Sequence, residues 1–369
     1  MQLFRWLAIV GFLTACADTS TLNILPQAAE IGEIEPVFIG TTRDTDPESH
    51  TFSGARHAEV RFARIDVSIP PERRSGSIDW PKKGAVPDPA TDFVAAGQKL
   101  YPDPGSFRAD LSRAIAAKGG EAVIFVHGFN NSYVEGAYRV AQLGHDLNVG
   151  AALVHYSWPS RDSPLGYVYD RDSALFARDG LEKLIATVEE AGARRIVLVA
   201  HSLGGGIAME TLRSLALAGR QDILSRIVGV VLMSPDIDVD VFREEALRIG
   251  KLPQPFLIFT SRKDRALALS ARLTGQKDRL GNLEDPAVLG DLKVTLVDTT
   301  AFSTGLGHFN VGNSAALLKI LGNIGDVDTA FAADKSGRPG LLGGAVLTVQ
   351  NATQIVLSPV SSIATGLQN

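Results

Sequence analysis

The chain has 369 residues, 45% of them hydrophobic and 21% charged, with a net charge of −5. That is enough apolar material for one large α/β domain or two smaller ones. The slight acidity, with no long basic stripe and isolated pairs such as Arg73-Arg74 and Lys82-Lys83, argues against nucleic-acid binding. The single cysteine, Cys16, excludes an internal disulfide framework and a cysteine-based metal site.

The N-terminus opens Met1-Gln2-Leu3-Phe4-Arg5 and continues with an apolar run from Trp6 to Ala15. That run is too short to span a bilayer comfortably and reads as a signal peptide. It ends Leu13-Thr14-Ala15-Cys16, which resembles a bacterial lipobox, whose cysteine becomes the lipidated first residue of the mature protein. The resemblance implies export and lipid anchoring through Cys16 in the bacterial cell envelope. Ala17, by likeness to sorted lipoproteins, favours the outer membrane facing the periplasm. Two other readings stay open. Ala15-Cys16-Ala17 also fits an A-x-A cleavage site, which would yield a soluble secreted protein, and an uncleaved anchor is the third.

Residues 17–34 read as a polar linker, 35–324 as the folded body and 325–369 as a C-terminal extension. Pro36 to Thr42 and Arg61 to Ile69 are the first expected strands, the second alternating apolar and polar. Residues 70–104, rich in Pro, Gly and charge, read as an excursion with little regular structure. Then come short apolar runs: Ala122–Val126, Ala152–Tyr156, Ile196–Ala200, Ile227–Met233, Phe256–Thr260 and Val294–Val297. Most are rich in β-branched residues, as strands buried on both faces should be. Helices are expected between them at Tyr133–Leu147, Asp172–Ala191, Leu203–Leu217, Val239–Leu247 and Ala266–Leu273, with a last one at Ser314–Leu321. Such alternation predicts an α/β fold with one mainly parallel central sheet and helices on both faces. Ligands then belong beyond the carboxyl ends of the strands.

Residues 339–369 carry no charged side chain. They hold two strand-like fragments, Ala345–Val349 and Gln354–Leu357, and their role is not readable. Gly343-Gly344 and Pro359 argue against a membrane-spanning helix there.

The stretch Val197-Leu198-Val199-Ala200-His201-Ser202-Leu203-Gly204-Gly205-Gly206 carries the chemistry. A strand ends in a serine flanked by small residues and a helix follows, the order that a nucleophile elbow needs. Ser202 is then an activated nucleophile and the protein a hydrolase or acyltransferase. The oxyanion of a tetrahedral intermediate needs backbone donors. The amide of Leu203 is one; the loop His127-Gly128-Phe129-Asn130 supplies the other through Phe129. His127 is expected to shape that loop.

With these motifs the sequence resembles the α/β-hydrolase superfamily, and within it an uncharacterised bacterial esterase/lipase-like family. The resemblance spans roughly residues 35–322. Its landmarks are Phe38-Ile39-Gly40-Thr41-Thr42-Arg43, Phe125-Val126-His127-Gly128-Phe129-Asn130, Tyr156-Ser157-Trp158-Pro159-Ser160, Ala200-His201-Ser202-Leu203-Gly204, Ser261-Arg262-Lys263-Asp264-Arg265-Ala266-Leu267 and Gly307-His308. Ala200 stands where such elbows usually begin with glycine.

The resemblance implies the chain order serine, acid, histidine. Of seven histidines only His308 lies beyond Ser202, so it is the expected base. Asp264, in the loop after Phe256–Thr260, is the expected acid. Asp236 and Asp238 are the alternatives, and each aspartate has a plainer reading as a helix N-cap. Ser157–Asp172, with Trp158, Leu165, Tyr167 and Tyr169, lines an acyl pocket, forms a small lid, or is merely packed. Arg43 reads as a surface salt-bridge residue, or less readily as a contact for a substrate anion.

No cofactor and no metal are expected, since no His/Asp/Glu cluster has ligand spacing. The expected activity is cleavage of a small-molecule or lipid carboxylic ester through an acyl-enzyme. Transfer to another hydroxyl is the alternative, as is a non-catalytic envelope lipoprotein built on the same scaffold.

Overall fold

The computed structural model describes residues 19–47, 51–275, 278–303, 305, 307–314, 317–318, 344–349 and 351–357. The signal segment and Cys16 lie outside the described residues, as does most of the helix expected at Ser314–Leu321.

Eleven strands form one sheet: β1 (Glu33–Asp46), β2 (Thr51–Ile69), β3 (Val94–Tyr101), β4 (Glu121–Val126), β5 (Ala152–Ser157), β6 (Arg195–His201), β7 (Ile227–Met233), β8 (Phe256–Thr260), β9 (Thr295–Asp298), β10 (Gly344–Val349) and β11 (Ala352–Leu357). Their order is β10-β11-β9-β8-β7-β6-β4-β5-β1-β2-β3. Pairing is parallel from β1 through β5, β4, β6, β7, β8 and β9 to β11, and antiparallel only at the two edges.

The helices are α1 (Pro104–Ala117), α2 (Tyr133–Asp146), α3 (Tyr167–Glu190), α4 (Leu203–Leu217), α5 (Gln221–Leu224), α6 (Val239–Ile249), α7 (Arg265–Leu273) and α8 (Asn310–Asn313). Successive residues of a strand face opposite sides, and β4 shows how this divides the core. Ile124 and Val126 pack with α1, α3, α4 and α6 on one face; Phe125 packs with α2 on the other. Val126 stands level with both Ala200 and Tyr156. The loops that leave β4, β5 and β6 therefore emerge side by side at one rim.

The sequence reading needs correction in five places. β2 begins at Thr51, ten residues before the expected start, because its first half is a half-buried hairpin arm too polar to read as a strand. The excursion at 70–104 contains β3, an edge strand whose Gly97, Gln98 and Lys99 hide its pattern. Helix α1 was not expected, although Asp103 caps it, Pro104 opens it, and buried Phe107, Leu111 and Ile115 recur every fourth residue. Helix α3 starts five residues early, at Tyr167. The segment 17–34 is no free linker over its described part: Leu25 N–H donates to Ala95 O and Ala95 N–H donates to Asn23 O. In the extension beyond 325, β10 and β11 form a hairpin that adds to the sheet beside β9.

Candidate active site

Ser202 occupies the turn between β6 and α4 with φ 53° and ψ −123°, a conformation that side-chain-bearing residues rarely adopt. The strain is held by its surroundings. Ser202 N–H donates to Met233 O (3.0 Å), and Ser202 O accepts from Asp236 N–H (3.1 Å) and Gly205 N–H (3.0 Å). The hydroxyl makes no capping bond to α4. Small neighbours are obligatory here: a Cβ on Gly204 would stand 2.4 Å from His127 O. Ala200 is fully buried.

The β4–α2 loop presses on this turn. A Cβ on Gly128 would lie 2.8 Å from that of Ser202 and 2.7 Å from His201 Nδ1. The loop is stiffened from beneath by His127, buried and stacked on Trp158 at 4.8 Å. His127 Nδ1 lies 2.8 Å from Gly128 O, its Nε2 3.1 Å from Trp158 O and 3.4 Å from the Arg43 guanidinium, so either tautomer finds a partner. Burial, then the charge of Arg43, holds this imidazole well below its ordinary range. It stays neutral and shapes the loop. Phe129 follows, its ring edge-on to Tyr167 at 5.5 Å. Leu203 opens α4, where an amide has no intrahelical acceptor.

Arg43 is neither a surface salt bridge nor an anion contact. It is 1% exposed. It donates to Ser157 Oγ (3.0 Å) and to the carbonyls of Ser53 (3.1 Å), Asn131 (2.7 Å) and Ser160 (3.0 Å). Burial lowers its pKa to about 10, still charged at neutrality. It ties the loops after β4 and β5 to the first hairpin.

Asp264 and His308 meet. His308 Nδ1–H donates to Asp264 Oδ2 at 2.8 Å, while Asp264 Oδ1 accepts from Leu267 N–H at 3.0 Å. The aspartate therefore caps α7 and orients the imidazole at once. Gly307, at φ 71°, permits this contact: a Cβ there would be 2.7 Å from Lys263 O. His308 also leans on the elbow. Its carbonyl accepts from His201 Nε2–H at 3.4 Å, and the two rings lie 4.8 Å apart. His201, buried beside it, is held well below its usual range by burial first and His308 second.

The alternative acids are committed elsewhere. Asp236 accepts from Arg279 Nε (2.7 Å), Tyr167 OH (2.9 Å) and Ser270 Oγ (2.7 Å). Asp238 caps α6 through the amides of Asp240 and Val241. The stretch 157–172 divides: Trp158 is buried packing, Leu165 is exposed, Tyr169 donates to Gly54 O, and Tyr167 belongs to the Asp236 network. Sequence reasoning missed Arg279 and Ser270 in that network. Nothing in the sequence separates either from the other charged residues and serines between β8 and β9.

A cleft of about 680 Å³ begins at Leu203 and runs beside α4 between α3 and α6. A smaller one of about 170 Å³ lies near His201, Arg139 and Phe309. No cluster of metal-ligating side chains occurs among the described residues. No helix among them is long and apolar enough to cross a membrane.

Residues 103–323, more than half of the chain, match a family described as an alpha/beta hydrolase of unknown function, DUF900. The chain is an α/β-hydrolase of that family. Among solved structures the hydrolase is similar to esterase B from Lactobacillus rhamnosis, with 17% identity over 59% of this chain and 78% of that one at a TM-score of 0.34. It is also similar to the hyperthermophilic esterase of the archaeon Pyrobaculum calidifontis (13%, 63% and 94%, 0.31). A fungal esterase from Rhizomucor miehei is a third (12%, 85% and 88%, 0.38). Likenesses at this level say nothing of substrate. No curated protein matches the chain.

Proposed function

We propose that the hydrolase is a serine esterase. Ser202 Oγ attacks the acyl carbon and His308 takes its proton through Nε2, the nitrogen left free by the bond from Nδ1 to Asp264. The amides of Leu203 and Phe129 receive the oxyanion. His308 then protonates the leaving alcohol, and water, deprotonated by the same imidazole, releases the acyl group.

One observation carries the reading: the 2.8 Å pair of Asp264 and His308, on a loop that rests against His201, next to a serine held in a strained turn. A fluorophosphonate probe tests it. Wild-type protein should be labelled at Ser202, Ser202→Ala should not be, and His308→Gln should label far more slowly. An intact, folded wild type that stays unlabelled overturns the proposal.

The lipobox-like Leu13-Thr14-Ala15-Cys16 supports export and anchoring at Cys16 in the cell envelope. Labelling of bacteria with an alkyne fatty acid should mark the wild type and not Cys16→Ser.

A further inference from the structure

We propose that the cleft along α4 receives the acyl chain of the ester, and that Glu245 with Glu210 recognises a hydrogen-bond donor at that chain's far end. This rests on the serine-esterase reading, since the cleft opens at the residue after Ser202.

The floor is one face of α4. Leu203, Gly206, Ile207 and Glu210 fall at i, i+3, i+4 and i+7, and all four line the cleft. The walls carry exposed Val168 and Leu175 of α3, Val241 of α6 and Leu273 of α7, alternating with polar Arg171, Asp172, Asp238 and Thr274. Large apolar side chains gathered in the open around one cleft are a feature that needs an explanation. Above Gly206 the space is open: a Cβ there would meet nothing within 4 Å. An alkyl chain laid over Gly206 fits both the open floor and the apolar side chains of the walls.

Length follows from helix geometry. Seven residues of α-helix from Leu203 to Glu210 rise about 10 Å. An extended chain advances about 3.5 Å every three bonds, so eight carbons and a terminal oxygen, joined by eight bonds, cover about 9 Å of the floor. At that end the lining of the cleft includes a buried acid. Glu245, 5% exposed, lines it, and its Oε2 accepts from no described group. Burial, and next the Glu210 carboxylate beside it, raise the Glu245 pKa to about 8. At neutral pH it is mostly a carboxyl group, hydrogen-bonded to Glu210. The other buried polar groups of the cleft are occupied, Asp236 and Arg279 by each other. A hydroxyl at the chain end would give Glu245 Oε2 the donor it lacks; a methyl would not.

The full-length protein is assayed with the p-nitrophenyl esters of acetic, octanoic and 8-hydroxyoctanoic acids. Wild type should prefer the hydroxyoctanoyl over the octanoyl ester by about 10-fold or more in kcat/KM, the discrimination expected of a buried hydrogen bond. Glu245→Leu should abolish or invert that preference. Gly206→Phe should depress both long esters relative to acetate by about 10-fold or more. Val241→Trp, on an exposed wall, repeats the block should Gly206→Phe fail to fold. Equal wild-type rates for the two octanoyl esters, or a chain-length profile unmoved by both blocking variants, overturn the proposal. Calorimetry with free 8-hydroxyoctanoate and octanoate reads the cleft without catalysis. Discriminating binding without fluorophosphonate labelling would sink the esterase reading and keep the cleft; labelling without discrimination would do the reverse.

Discussion

Replacing Arg43 with leucine should destabilise the protein by about 3–5 kcal/mol, because the carbonyls of Ser53, Asn131 and Ser160 lose a donor in a site that water does not reach. Arg43→Lys should recover only part of this, since an ammonium cannot reproduce the planar fork. Urea midpoints decide the matter. The two aspartates should separate in the opposite way. Asp264→Asn should lower turnover of p-nitrophenyl acetate by about 10⁴-fold with little loss of stability, because it misorients the base. Asp236→Asn should cost about 3 kcal/mol by stripping a buried Arg279 of its counter-charge, with a far smaller effect on kcat. Equal kinetic losses in the two variants would count against Asp264 as the acid. At this scale residue type limits the options for His308, the last of the histidines, and its meeting with Asp264 is what the structure shows of that reading. The sequence was unreadable for Arg43, because an arginine at a strand end gives no sign that three separate segments fold over it.

The oxyanion loop and the elbow act as one element, and Gly128 is where they touch. Gly128→Ala must push the loop off Ser202, since its Cβ would sit 2.8 Å from the serine's own. We expect kcat to fall by about 10²–10³-fold, the cost of one misplaced oxyanion donor, with the far-UV spectrum preserved. Wild-type kcat in Gly128→Ala would remove this loop from the chemistry. Gly206→Ala makes the contrast: a helix-interior glycine facing open space should gain about 0.5–1 kcal/mol on substitution, read as a higher melting temperature. The buried central strands were legible because a strand covered on both faces must be continuously apolar. The edges were not. β3 and the outer half of β2 carry polar residues because one side meets solvent. Helix α1 was passed over although its cap and its four-residue spacing were present.

For the molecule as a whole, titration of buried groups should set a stability maximum near pH 6.5. His127, His155 and His201 are buried, and burial holds all three down, His155 to about 3. In the unfolded chain each titrates near 6.5. Their contribution is complete above that value and is lost as pH falls from about 6.5 toward the folded values, because only the unfolded chain takes up the protons. Three such groups give a slope of up to about 4 kcal/mol per pH unit. Glu245 acts in the opposite sense. Its pKa is raised to about 8, so its contribution is complete below about 4.5 and is lost as pH rises toward 8, at up to about 1.4 kcal/mol per unit. Glu35 and Glu135, raised by burial, share that sign. Below about 6 the three imidazoles outweigh these carboxyls; above about 6.5 only the carboxyl side of the balance is still changing. Urea midpoints at pH 5, 6.5 and 8 should therefore peak at 6.5, and Glu245→Gln should raise the midpoint at pH 8 while leaving the fall toward pH 5 in place. A wild type that grows steadily more stable from pH 6.5 to 8 would mean that the carboxyl of Glu245 ionises in the folded protein as readily as in the unfolded chain.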